Sequence, residues 1–209
     1  MKPLKRNYRM TNAELMDMVG DFVGYMTRDA TEFAVRGVDA AAITAFEDLG
    51  NAFEIFPPDE VYSAQVSAEV NAKNDAREQS MIYARKISGF FEQQWGIDSW
   101  QYKQLGIAGL GSSSDSKFKA ICRNVVSIAT ENLTELSAIG MTQTDIDNLE
   151  DEVQLMEDKG HEIKIKMALR DSKTEERIEK GNELYSYLTK YAAIGKLVWE
   201  DINESKYND

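Results

Sequence analysis

The chain has a single histidine, His161, and a single cysteine, Cys122. Asp158-x-x-His161 has the spacing at which two ligands leave one helix face, as in the di-iron centres of helical bundles. Such centres take two of these motifs and two further carboxylates. One histidine cannot supply them, so no metal is expected. A Cys–His nucleophile would have to pair Cys122 with His161. Cys122 sits among Ile121, Val125 and Val126 on an amphipathic stretch, which reads as a buried structural thiol. The run GLGSSS at 109–114 has the glycines of a phosphate cradle. It lacks the lysine-containing P-loop pattern, and no strand leads into it. No catalytic residue and no cofactor is expected from these residues.

Two further sets of side chains remain. Aromatic residues gather near the ends of two long helical stretches, with Trp95, Trp100 and Tyr102 after the first and Trp199 and Tyr207 after the second. Tryptophan and tyrosine are frequent anchors of protein interfaces, and they also close helix ends by packing. These five are the candidate interaction residues. The second set is charged: Lys73, Asp75 and Arg77, and Lys173, Glu175 and Arg177. Both triplets fall where the apolar stripe of a long helix fades. They read either as solvated faces with i,i+4 ion pairs or as a polar layer fixing the register of two units.

Composition limits the partners. Apolar residues make up 43% of the 209-residue chain and the formal net charge is −12. That is globular composition with a charge adverse to nucleic acid and to anionic lipid. With one cysteine no intramolecular disulfide forms, so the fold needs no oxidising compartment. The opening MKPLKRNYRM is basic, but the amphipathic TNAELMDMVGDF follows it in place of an apolar leader. No stretch is long and apolar enough to span a membrane. A cytoplasmic protein is expected, with a virion or another mobile-element setting also compatible.

The elements that would position these residues occur twice. Residues 22–54 align with 125–157 without a gap, and nine of the 33 positions are identical, among them Thr27/Thr130, Gly37/Gly140 and Ile43/Ile146. Each glycine ends a helix, and Asp39 or Thr142 two positions later suits the N-cap of the next. Thr11 with Glu14 is a capping box at the first helix. Further on, YARKISGFFEQQW (83–95) lies over YLTKYAAIGKLVW (187–199). Trp95 then falls on Trp199, and Tyr102 on Tyr207 after one inserted residue.

The expected fold is all-α: two related antiparallel helical units forming an elongated bundle. Each unit has a long helix A, a short helix B and a long helix C. Residues 1–106 form the first unit, 107–114 a Gly/Ser linker and 115–209 the second. Helix A spans 11–36, B 40–54 and C 59–95. In the second unit A spans 115–139. There the apolar phase runs unbroken from Ile146 through Met156, Gly160, Ile163 and Met167 to Leu184, Tyr191 and Val198. This favours one near-continuous helix over 142–200, with a kink at Gly160 also compatible; unkinked it would span roughly 80 Å.

The segments MTNAEL, FEIFPPDEVY, RIEKGNELYSYL and GKLVWEDINESKYND resemble those of uncharacterised helical proteins of Bacteroidota with duplicated helical segments. In that family the last segment resembles WExxxExKYNDYVIY. This chain stops at Asp209, inside that pattern, so the resemblance implies a continuation. It implies no activity. The function expected is a non-enzymatic scaffold or protein–protein interaction module, with a protein partner or a second copy. The alternative is an enzyme or small-ligand binder with a pocket between the units.

Overall fold

The computed structural model describes residues 4–209; the start of the basic opening stretch, Met1–Pro3, lies outside the described residues. The fold is all-α, and no strand occurs among the described residues. Its helices are α1 (Asn12–Arg28), α2 (Ala30–Val35), α3 (Ala40–Glu54), α4 (Asp59–Trp95), α5 (Trp100–Lys103), α6 (Asp115–Glu131), α7 (Leu133–Leu136), α8 (Gln143–Trp199) and α9 (Glu204–Asn208). None is long and apolar enough to cross a membrane.

The caps read from sequence mostly form. Thr11 and Glu14 make a reciprocal capping box at α1, and the Asp39 carboxylate accepts the Ala42 N–H at α3. Gly37 and Gly140 take left-handed φ values of 81° and 98°. Val38 N–H then reaches the Phe33 carbonyl at 3.0 Å, and Met141 N–H the Leu136 carbonyl at 3.1 Å. This is the Schellman closure, sealed by a buried apolar pair on each side. At α8 only half of a capping box forms: the Asp145 carboxylate accepts the Thr142 N–H at 2.9 Å, while the Thr142 hydroxyl donates to the same carboxylate at 2.9 Å instead of capping a backbone N–H. Lys86 pairs with that carboxylate at 2.6 Å.

Helix A is broken in both units, against the continuous spans 11–36 and 115–139 expected from the sequence. Asp29 (φ −109°, ψ 31°) separates α1 from α2, and Asn132 (φ −104°, ψ 5°) separates α6 from α7. Short polar side chains compete for nearby backbone groups and so interrupt helices. The Asn132 amide donates to the Ile128 carbonyl at 2.7 Å. The long helix over 142–200 forms as one element, α8. Its apolar phase is buried at Ile146, Leu149, Val153 and Met156 and again at Leu184, Leu188, Tyr191 and Val198. Between them Gly160 and Ile163 are half-buried and Met167 is exposed, so the stripe is continuous in sequence but not in burial.

Contacts divide the chain into two compact units, Met1–Val61 with Leu169–Asp209, and Tyr62–Ala168. This cut differs from the one at 107–114, because sequence similarity and spatial packing divide a chain by different criteria. The first unit buries Leu15, Val19 and Met26 of α1 with Phe33, Phe46 and Phe53, closed by Leu184, Leu188 and Tyr191 of α8. The second buries Ala84, Ile87 and Phe91 of α4 with Phe118, Cys122 and Val125 of α6, and Ile146, Leu149, Val153 and Met156 of α8. The Gly/Ser stretch is packed: Leu110 is buried, and the Ser113 carbonyl accepts from Arg77 at 2.7 Å.

Candidate functional site

The junction Arg28–Asp29 places charge inside the first unit. Asp29 is only 2% exposed, and a buried carboxylate must be paired. Arg28 grips it through Nε at 3.0 Å and a terminal nitrogen at 2.7 Å. Lys206 of α9 donates to it at 2.6 Å. The hydrogen bonds from Arg28, opposed by burial and joined by those from Lys206, hold the Asp29 carboxyl below its usual range. The Lys206 ammonium also lies 4.1 Å from the Trp199 ring centroid, within cation–π reach. Arg28 in turn pairs with Asp209 at 2.9 Å.

Around this network lies a recess of about 260 Å³. Phe22, Tyr25, Phe33, Trp199 and Tyr207 line it, with Ala192 and Gly195 of α8. A Cβ at Gly195 would stand 3.3 Å from Phe33 Cζ, so α8 approaches α2 closely here. Lys196 lies over the Tyr207 ring at 5.9 Å. The arrangement presents aromatic faces and paired charges. That is the chemistry of recognition by stacking and ion pairing, and Asp29 is too firmly engaged to act as a base.

Trp199 and Tyr207, read from sequence as interaction residues, thus meet at one recess. The other three belong to the second unit. Trp95 and Tyr102 pack against its core, with Trp95 5.2 Å from Phe91. Trp100 stands 69% exposed. Arg28, Asp29 and Lys206 were not singled out from sequence. Nothing in the neighbouring residues marks Asp29, which lies within a continuous helical pattern, and its partner Lys206 is 177 residues away.

The two charged triplets belong to different units. Lys73 (2.8 Å) and Arg77 (3.0 Å) meet on Asp115 within the second unit. Within the first unit, Arg177 is 8% exposed, pairs with Asp59 at 3.0 Å and donates to the Pro57 carbonyl. Its Nε is buried with no partner among the described residues. Lys173 pairs with Glu176 at 2.6 Å. Asp75 and Glu175 are exposed. Cys122 is fully buried, and burial pushes its thiol up to about 11, far from a thiolate nucleophile. His161 lines a shallow depression with Lys73, Lys119, Glu157 and Lys164. Among the described residues no His, Cys, Asp and Glu group is placed to hold a metal.

Comparison with family models, with curated proteins and with solved structures returned no match for this chain.

Proposed function

We propose that the chain is a non-enzymatic helical interaction module that engages protein through the Trp199–Tyr207 end of its first unit. One observation carries the reading: two aromatic residues at a helix end share a recess with a buried, doubly paired carboxylate. Interface anchors are typically aromatic and arginine side chains set beside excluded water. Exposed Leu197 and Ile202 flank the same end of α8 and widen the apolar surface on offer. We further propose that the two sets of helices descend from one duplicated module. The support is the agreement of helix breaks, left-handed glycines and buried positions in the register of the sequence alignment.

The test is capture from the native host with tagged intact chain, run beside a Trp199→Ala variant of equal helicity. Proteins retained by the first and lost by the second support the reading. An identical set with both overturns it.

A further inference from the structure

We propose that α9 is an exchangeable arm, and that the Asp29–Trp199 recess accepts the α9 of a second copy of this chain. The inference rests on the reading of this end as an interaction surface and names its partner. The recess is a cage for an ammonium group, with a buried carboxylate at 2.6 Å and an indole face at 4.1 Å. Its occupant is Lys206. The α9 of any other copy carries the same lysine, the same Tyr207 and the same Asp209, so its complementarity to the cage is already displayed.

Three features make the arm separable. First, α9 contains no buried residue, so no apolar core contact holds it; it is held by the Lys206–Asp29 and Arg28–Asp209 ion pairs and by ring contacts, all of which a second copy's α9 would restore. Second, Asp201 in the connection to α9 has φ 62°, a left-handed conformation that most non-glycine residues avoid. An exchanged connection is free to relax it. Third, the matching segment of the second unit is anchored differently. After α5, Leu105 is fully buried, and the Asn124 amide donates to the carbonyls of Gln104 and Leu105 at 2.9 and 3.2 Å. Closed and exchanged forms make the same contacts at the cage, the condition under which swapping an element costs little.

The test is complementation, read by sedimentation equilibrium. Lys206→Ala leaves a cage without its arm, and Asp29→Asn leaves an arm without its cage. Asparagine suits the junction, since Asn132 holds a similar backbone conformation in the second unit. Each variant alone is expected at the monomer mass of 23.6 kDa. Their equimolar mixture is expected to rise toward twice that mass, because the intact arm of one fills the intact cage of the other. A mixture that stays at the monomer mass overturns the proposal. Should Asp29→Asn fail to fold, a labelled peptide of residues 203–209 is titrated into the Lys206→Ala chain. Saturable binding that is lost when the peptide's own lysine becomes alanine supports exchange, and no binding overturns it. A monomeric mixture alongside Trp199-dependent capture of another protein removes the exchange and leaves the interaction reading intact.

Discussion

The two units solve the same packing problem with rings from different helices. In the second, Phe91 of α4 enters the core, its ring centroid 5.2 Å from that of Trp95, in a cluster that also holds the smaller Val125 and Leu136. In the first, the aligned position is Gly195. The volume returns from the opposite side as Phe22 and Phe33, whose ring ends lie 3.8 and 3.3 Å from where a Gly195 Cβ would stand. The trade leaves α8 with a small-residue floor and the aromatic faces on α1 and α2, which is where the recess forms. The short helices that follow α4 and α8 differ in parallel, with α5 followed by buried Leu105 and α9 held by Lys206 and Asp209. Equal volume is thus compatible with unequal surface chemistry, and the site is a consequence of which helix carries the ring.

The largest effect is expected from emptying the ring position that the first unit lacks. Phe91→Ala should cost about 3–5 kcal/mol by denaturant unfolding, since a fully buried phenyl is lost and a cavity remains. Gly195→Ala should cost less, about 1–3 kcal/mol, because Phe33 must shift by tenths of an ångström to admit the methyl. If the two costs are equal, the exchange of rings is not what distinguishes the units.

Next comes the buried carboxylate. Asp29→Ala should cost about 1.5–3 kcal/mol, the loss of charge-assisted hydrogen bonds from Arg28 and Lys206, whose own side chains reach solvent. It should release α9, seen as faster amide exchange over 204–208 and unchanged exchange at Leu105. The pH dependence has a definite sign. Because the folded-state pKa of Asp29 is depressed, its stabilisation is present above about pH 4, the ordinary carboxylate value. It is lost as pH falls through the lower folded value. Protection of α9 should therefore fall in acid while the second junction, where the uncharged amide of Asn132 stands in place of the carboxylate, keeps its own. Equal acid sensitivity at the two junctions would remove Asp29 as the cause.

A smaller gain is expected from Asp201→Gly. Relief of a left-handed conformation is worth about 1–2 kcal/mol, and the entropy of glycine takes back about 0.5–1 kcal/mol. The net should be a slight rise in the unfolding midpoint. The matching turn of the second unit already has Gly96 at φ 84°. The smallest contrast concerns Thr27 and Thr130, whose hydroxyls donate to the carbonyls four residues back, each at 2.8 Å. Valine at either place should change stability by about 0.5 kcal/mol or less and by the same amount in both, as exposed substitutions do. A clear inequality would show that the matched geometry conceals different surroundings.

Much of the fold was legible because it depends on near neighbours. The Thr11–Glu14 box, the Asp39 cap and the glycines at 37 and 140 act within a few residues, so their spacing suffices. The single phase from Ile146 to Val198 favours one near-continuous helix but leaves a kink at Gly160 open, and the fold decides for the single element α8. Of the site, Trp199 and Tyr207 were visible as aromatic residues at a helix end. The breaks at Asp29 and Asn132 were not, because an acidic or amide side chain inside a helical pattern is usually solvated, and only its partners reveal that it turns inward.

Local periodicity and capping, then, are properties of the amino-acid order itself: all-α class, the tight helix connections and the extent of α8. Which side chains meet was decided in three dimensions. Lys206 reaches Asp29 across 177 positions, and the ring that fills each core comes from a different helix. Such choices depend on summed volume and charge around a point in space, which no stretch of neighbouring residues encodes.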